Sequence, residues 1–257
     1  MKTKIIILAA LFGTFGFSCK QSDSPTPDAD FGCDKQAKIT SQILGEIPVT
    51  IEYDAKGRIS KVLRADGQGL IENYNYTNDT TLAITRNFRD GGVGNAFSAI
   101  LTPQGYFKKF ATVGTTPELA YATTYTYDAE GRLTESIFKS NNPAQTIRTT
   151  YVYEAGNLKS TQSFTNGKLS YSEAYRYTSD ANKVDLNFNE NRPGTHGLYS
   201  ANLVESIETT YPDGKKEKYA FTYDLNTKGF VKSQTQTYTD QTNKTTSQVN
   251  KYGYICQ

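Results

Sequence analysis

The stretch TYTYDAEGRLTES (residues 124–136) alternates polar and aromatic side chains up to Tyr127, breaks at Asp128-Ala129-Glu130-Gly131-Arg132, and resumes alternation at Leu133. Period-two alternation of Thr, Tyr and Leu is the pattern of a half-buried β-strand. Asp suits the first position of a type I turn and Gly the left-handed position that follows, which together predict a three-residue hairpin loop with a G1 bulge. In that register Asp128 faces Arg132 and Tyr127 faces Leu133. One face gains an opposite-charge pair and the other an aromatic–aliphatic pair, each worth roughly 0.2 to 1 kcal/mol. The stretch IEYDAKGRISKV (residues 51–62) repeats the arrangement, with Asp54 facing Arg58 and Tyr53 facing Ile59. Asn166-Gly167 reads as a two-residue type I′ turn, and Pro212-Asp213-Gly214 as a further type I turn.

The repeat extends along the chain. The second aromatic of a Tyr-x-Tyr or equivalent pair falls at Tyr53, Tyr76, Tyr127, Tyr153, Tyr177 and Tyr223, which fits a unit of about 24 residues with degenerate members near residues 101–107 and 198–207. Turn formers recur every 10 to 14 residues and no 3.6-residue apolar stripe is present, so each unit predicts one β-hairpin. About 220 residues at roughly 12 per strand and turn give an all-β, antiparallel up-and-down meander of about 16 to 18 strands. An open sheet of that length leaves two edges exposed, and this favours closure into a barrel, flattened or round. The strand faces that carry Thr50, Glu52, Thr124, Thr126 and Thr150 are too polar to meet lipid, and the mean hydropathy of −0.58 agrees. The tyrosine face is therefore expected to point inward, in a water-soluble barrel.

The N-terminus supplies an address. Lys2 and Lys4 precede an apolar run from Ile5 to Phe17 and then Ser18-Cys19, the layout of a secretory signal. The run is shorter than the roughly 20 residues of a spanning helix. A small residue before Cys at the end of such a run resembles the bacterial lipoprotein signal, and Gly16 in place of its usual Leu fits the looser form in Bacteroidetes lipoproteins. The resemblance implies a signal peptide over residues 1–18 and lipidation of Cys19. Lys20, in place of the Asp of inner-membrane retention, implies the outer membrane, with the body on its periplasmic or cell-surface side. Residues 19–30 hold no large apolar side chain after the Cys and read as a flexible tether. Residues 31–257 are of even composition and form one expected domain. With Cys19 lipidated, Cys33 and Cys256 remain as a pair in an oxidising compartment, an expected disulfide joining first and last strands; two unrelated buried thiols are the alternative.

Without the signal the chain carries 26 basic and 26 acidic side chains, which argues against nucleic acid as a partner. A lone His leaves no ligand set for zinc, so neither metal nor other cofactor is expected.

Two family resemblances follow from the repeat. TYTYDAEGRLTES and IEYDAKGRIS resemble the YD repeats of Rhs-type shell proteins, without their long array or toxin. Over most of its length the chain resembles the Bacteroidetes lipoproteins of the domain of unknown function 4595. The shared features are the lipoprotein signal, Cys33, the YDAKGRI copies, GLYSANLVESIETTYPDG (197–214) and the ending YGYICQ. That resemblance implies a porin-like fold and no particular activity.

Catalytic motifs are weak. His196, the single histidine, has no nucleophile signature nearby and reads as a loop residue. RDGGVGNAF (89–97) lacks the Gly-Lys-Ser/Thr of a P-loop and reads as a hairpin loop. Asp54 and Asp128 are accounted for by their turns. The tyrosines carry the remaining expectation: Tyr125, Tyr127, Tyr151, Tyr153, Tyr175 and Tyr177 form the inward stripe, offering flat faces with hydroxyl handles to a small hydrophobic or glycan ligand. The reading is a monomeric, membrane-anchored, non-enzymatic binding or interaction module. A carrier of a lipid or other hydrophobe, and a hydrolase whose site is not visible in sequence, are the alternatives.

Overall fold

In the computed structural model residues 37–256 are described, apart from 68, 115, 117–119, 142, 185 and 187–195. The expected signal, lipidation site Cys19, tether and Cys33 lie outside the described residues, as does the side chain of Cys256. The pairing of the two cysteines therefore has no structural description.

Sixteen strands follow in order: β1 (Ala37–Leu44), β2 (Ile47–Tyr53), β3 (Ile59–Arg64), β4 (Ile71–Asn78), β5 (Thr81–Asn87), β6 (Ala96–Leu101), β7 (Phe107–Val113), β8 (Tyr121–Tyr127), β9 (Leu133–Asn141), β10 (Ala144–Glu154), β11 (Asn157–Thr165), β12 (Lys168–Ala181), β13 (Asn202–Thr210), β14 (Lys216–Leu225), β15 (Val231–Thr239) and β16 (Thr245–Cys256). Each pairs antiparallel with its sequence neighbours, and β1 pairs with β16, so the meander closes into a barrel without edges. Ala37 pairs with Cys256, which sets both ends of the described chain at one end of the barrel.

The hairpin read from the sequence is present. Tyr127 pairs with Leu133 and Tyr53 with Ile59, each across a bulge. The Asp128 amide donates to the Arg132 carbonyl at 2.9 Å, and Gly131 takes φ of 85°. The Arg132 guanidinium grips the Asp128 carboxylate at 2.7 Å, as Arg58 grips Asp54. The same five-residue loop recurs at Thr102–Tyr106, Tyr211–Lys215, Asn226–Phe230 and Asp240–Lys244. Asn166 and Gly167 both have positive φ, as a type I′ turn requires.

The copy expected near 198–207 does not form such a hairpin. Residues 182–201 join β12 to β13, and their later part lies across neighbouring turns: Leu198 N–H donates to Gly131 O at 2.9 Å, and Ala201 N–H to Gly156 O at 3.1 Å. A Cβ on Gly197 would stand 2.6 Å from Gly131 O, so only glycine permits this approach. Val184 and Leu186 are buried in the core, and the His196 ring meets Phe107 and Tyr125 edge-on. Val184, Leu186 and His196 thus reach into the lumen at the end that holds the termini.

Alternation sorts the strands into two faces. In β2, Val49 and Ile51 are buried while Pro48, Thr50 and Glu52 are exposed; in β6, Phe97, Ala99 and Leu101 point in. The outer face is polar. Across β14, β15 and β16 its rows read Lys218-Thr239-Thr245, Ala220-Thr237-Ser247 and Thr222-Thr235-Val249. Through β1–β7 the lumen is filled by Val49, Ile51, Val62, Leu82, Ile84, Phe97 and Phe107, joined by Tyr252 and Tyr254 of β16. Phe97 stacks on Phe110 with ring centroids 4.8 Å apart. The interior is thus aliphatic and phenylalanine-rich on that side, where a tyrosine lining was expected. The tyrosines gather on the other.

Candidate functional site

The inward side chains of β10, β11 and β12 alternate long and short. Thr149, Tyr151 and Tyr153 stand on β10, Thr161 and Ser163 on β11, and Glu173, Tyr175 and Tyr177 on β12. Such rows cannot interdigitate as aliphatic rows do, because buried hydroxyls must reach hydrogen-bond partners near the wall. The result is a cavity of about 600 Å³. It runs from His196 and Ser200 of the crossing segment to Tyr171 and Tyr219 toward the opposite end of the barrel.

Four of the six tyrosines expected on the inward stripe border this cavity: Tyr151, Tyr153, Tyr175 and Tyr177. Tyr125 and Tyr127 sit in the adjoining wall. Tyr125 packs against Phe107 and His196, while Tyr127 donates its hydroxyl to the Phe107 carbonyl at 2.7 Å. That last bond belongs to a series. Tyr53 donates to Ile39 O, Tyr177 to Leu158 O, Tyr223 to Val204 O and Tyr254 to Val231 O, all at 2.6 to 2.7 Å. In all five the acceptor lies within the first three positions of the preceding strand. The repeat tyrosines are therefore struts between hairpins, and Tyr177 both bridges and faces the cavity.

Burial holds the Tyr153, Tyr175, Tyr177 and Tyr223 phenols protonated. It pushes Tyr153 and Tyr223 up to about 12, with the Tyr151 ring adding to the effect on Tyr153 and Tyr177 to that on Tyr223. Tyr175 goes higher, through burial first and then the neighbouring Glu173 carboxylate. At neutral pH the wall presents hydroxyl donors and ring faces.

Glu173 was not singled out in the sequence, yet it is the cavity's carboxylate. Its Oε2 accepts from Thr161 Oγ1 and Tyr175 Oη, both at 2.8 Å, whereas Oε1 has no partner among the described residues. Neither of the turn aspartates approaches it; each is held by its own arginine. Among the described residues no group of three or more His, Cys, Asp or Glu converges in a way that could hold a metal ion.

No family model and no curated protein matches the chain. Two solved structures are similar. One is a porin-like protein from Bacteroides uniformis, with TM-score 0.60 and 13% identity over 84% of this chain and 98% of that one. The other is a porin-like protein from Bacteroides vulgatus, with TM-score 0.53 and 16% identity over the same shares. At these identities the similarity is one of architecture, and what it establishes for this chain is a porin-like fold, a closed barrel of 16 antiparallel strands.

Proposed function

We propose that this chain is an exported, lipid-anchored, non-catalytic binding module that holds a small ligand in the tyrosine-walled part of its lumen. The cavity of about 600 Å³ carries this reading, since it falls within the range of roughly 300–1,000 Å³ typical of small-molecule sites. Three further observations support it. The signal-like N-terminus ending at Cys19 and the tether after it suit a lipoprotein of the outer membrane. The Thr, Ser and Lys rows on the outer face suit water better than hydrocarbon. Neutral phenols beside Leu133, Leu158 and Ile207 suit a ligand with an apolar or sugar-like body.

In this reading the chain is a monomer, a member of the domain of unknown function 4595 lipoproteins, and Cys33 bonds to Cys256 across the seam between β1 and β16. Native mass spectrometry of protein purified without delipidation should show an adduct that denaturation releases. A clean spectrum, together with no binding of the neutral dye Nile red, would overturn the binding role. Thiol labelling of the body from residue 31 onward should find no free cysteine before reduction and two after it.

A further inference from the structure

The chain contains the cavity's wall twice. ENYNYT (72–77) in β4 and EAYRYT (173–178) in β12 share the pattern Glu-x-Tyr-x-Tyr-Thr. In both, the first Tyr donates its hydroxyl to Oε2 of the Glu two residues before it, Tyr74 to Glu72 at 2.9 Å and Tyr175 to Glu173 at 2.8 Å.

The surroundings also correspond by register. Tyr74 pairs with Ile84, which pairs with Phe97; Tyr175 pairs with Ile207, which pairs with Tyr219. In the first copy the partner of Glu72 is Arg86, whose Nε lies 2.6 Å from Glu72 Oε1 and whose guanidinium carbon sits 4.5 Å from the centre of the Phe97 ring. Carboxylate, cation and ring make a closed set there, and Glu72 is 4% exposed. In the second copy the partner of Glu173 is Thr209, too short to supply a charge. The carboxylate and the ring remain, Tyr219 in place of Phe97, and both border the cavity. No Lys or Arg among the described residues pairs with Glu173.

We propose that the cavity binds a small organic cation, an amine, amidinium or guanidinium on a compact body, with Glu173 as counter-ion and Tyr219 as the ring beside it, where Arg86 and Phe97 stand in the first copy. This rests on the reading of the barrel as a binding module. A charge-assisted hydrogen bond to a half-buried carboxylate, reinforced by an aromatic face, selects a cation over its neutral isostere. Glu217, opposite Thr209 on the next strand, adds to the negative field; its carboxylate accepts from Tyr211 and Gln241 at 3.0 Å. Burial first, and then Glu217 and Glu173, raise the Tyr219 phenol, in keeping with a ring set beside both acids.

The test is calorimetric titration of the full chain with benzamidinium and with benzamide, which has nearly the same shape and no charge. Benzamidinium should bind at least about tenfold more tightly, and E173Q should bring the two within about twofold. T209R places a guanidinium opposite Glu173 from within the chain. It should abolish benzamidinium binding, and its midpoint of thermal unfolding should exceed that of the E173Q/T209R double variant. Should T209R fail to fold, as judged by circular dichroism, E173Q still decides the matter. Equal affinity for the two probes, or a preference that survives E173Q, overturns the cation inference. If Nile red binds in that case, the broader binding role stands; if neither probe nor dye binds, both fall.

Discussion

The strands from β1 to β7 and those from β9 to β14 are built from one hairpin design, yet the first set fills its lumen and the second leaves it open. The difference lies in the inward alternation. Where Val49, Ile51, Leu82 and Ile84 point in, methyl groups interlock to the density of a packed core. Where Tyr151, Tyr175 and Tyr177 point in beside Thr161 and Ser163, each phenol bonds its hydroxyl to a neighbouring group and leans on the wall. A repeat can thus be kept in its turns and struts while its interior is diverted from cohesion to reception. The lesson is sharpest at the paired glutamates, where exchanging Arg86 for Thr209 at one register position separates a sealed ion pair from an open carboxylate.

The largest test of that contrast compares aromatic truncations. F97A, in the filled half, should cost about 3–5 kcal/mol, since the ring is 2% exposed and close-packed. Y151A, which widens space already present, should cost about 1 kcal/mol. Equal losses in urea unfolding would erase the distinction between the halves.

Next come the glutamates. R86M leaves Glu72 charged and buried, and should destabilise by about 3 kcal/mol. E173Q should stay within about 0.5 kcal/mol of the parent, because no ion pair is broken. A large cost for E173Q would show that its carboxylate already has a structural task.

The turns should not distinguish the halves. At Asp54 and Asp128 burial works to raise the carboxyl. The backbone N–H and guanidinium of the facing arginine outweigh it, so both acids are held below the usual range. A depressed folded-state value means that the stabilisation is complete above the unfolded carboxylate range, near pH 4, and is lost as pH falls through the folded value. D54N and D128N should each flatten the fall in thermal midpoint on acidification below about pH 4, to a similar degree. A flattening confined to one variant would mean that the shared turn is not equivalent in the two halves.

The smallest effect concerns the cavity side alone. Ala155 holds φ of 50° in the turn between β10 and β11, where Asn166 serves in the next one. A155G should stabilise by about 0.5 kcal/mol, the relief of left-handed strain being partly offset by greater freedom of the unfolded chain.

What could be read beforehand follows from how far the causes reach along the chain. Asp128, Gly131 and Arg132 act within five residues, so the hairpin, its charge pair and the facing of Tyr127 and Leu133 were legible. Closure was legible too, because a meander of this length must manage its edges. The filling of the lumen was not. It depends on which strands face each other across the interior, and neither Tyr alternation nor spacing carries that. Glu72 and Glu173 sit in almost the same local sequence, and their partners, Arg86 and Thr209, lie 14 and 36 positions downstream, brought opposite only by register. The degenerate copy expected near 198–207 was not legible as a connection, because the contacts of Gly197 and Ser200 lie in distant turns. Those two residues dock on Gly131 and Leu158 of neighbouring hairpins.

The seam between β1 and β16 has one more consequence. Because Ala37 pairs with Cys256, both ends of the described chain leave the barrel at the end where the His196 ring packs on Phe107 and Tyr125. The rim near Tyr171, Tyr211 and Tyr238 lies at the opposite end. Anchoring through the N-terminus, as proposed above, would therefore turn that tyrosine-bearing rim away from the bilayer and toward an arriving ligand.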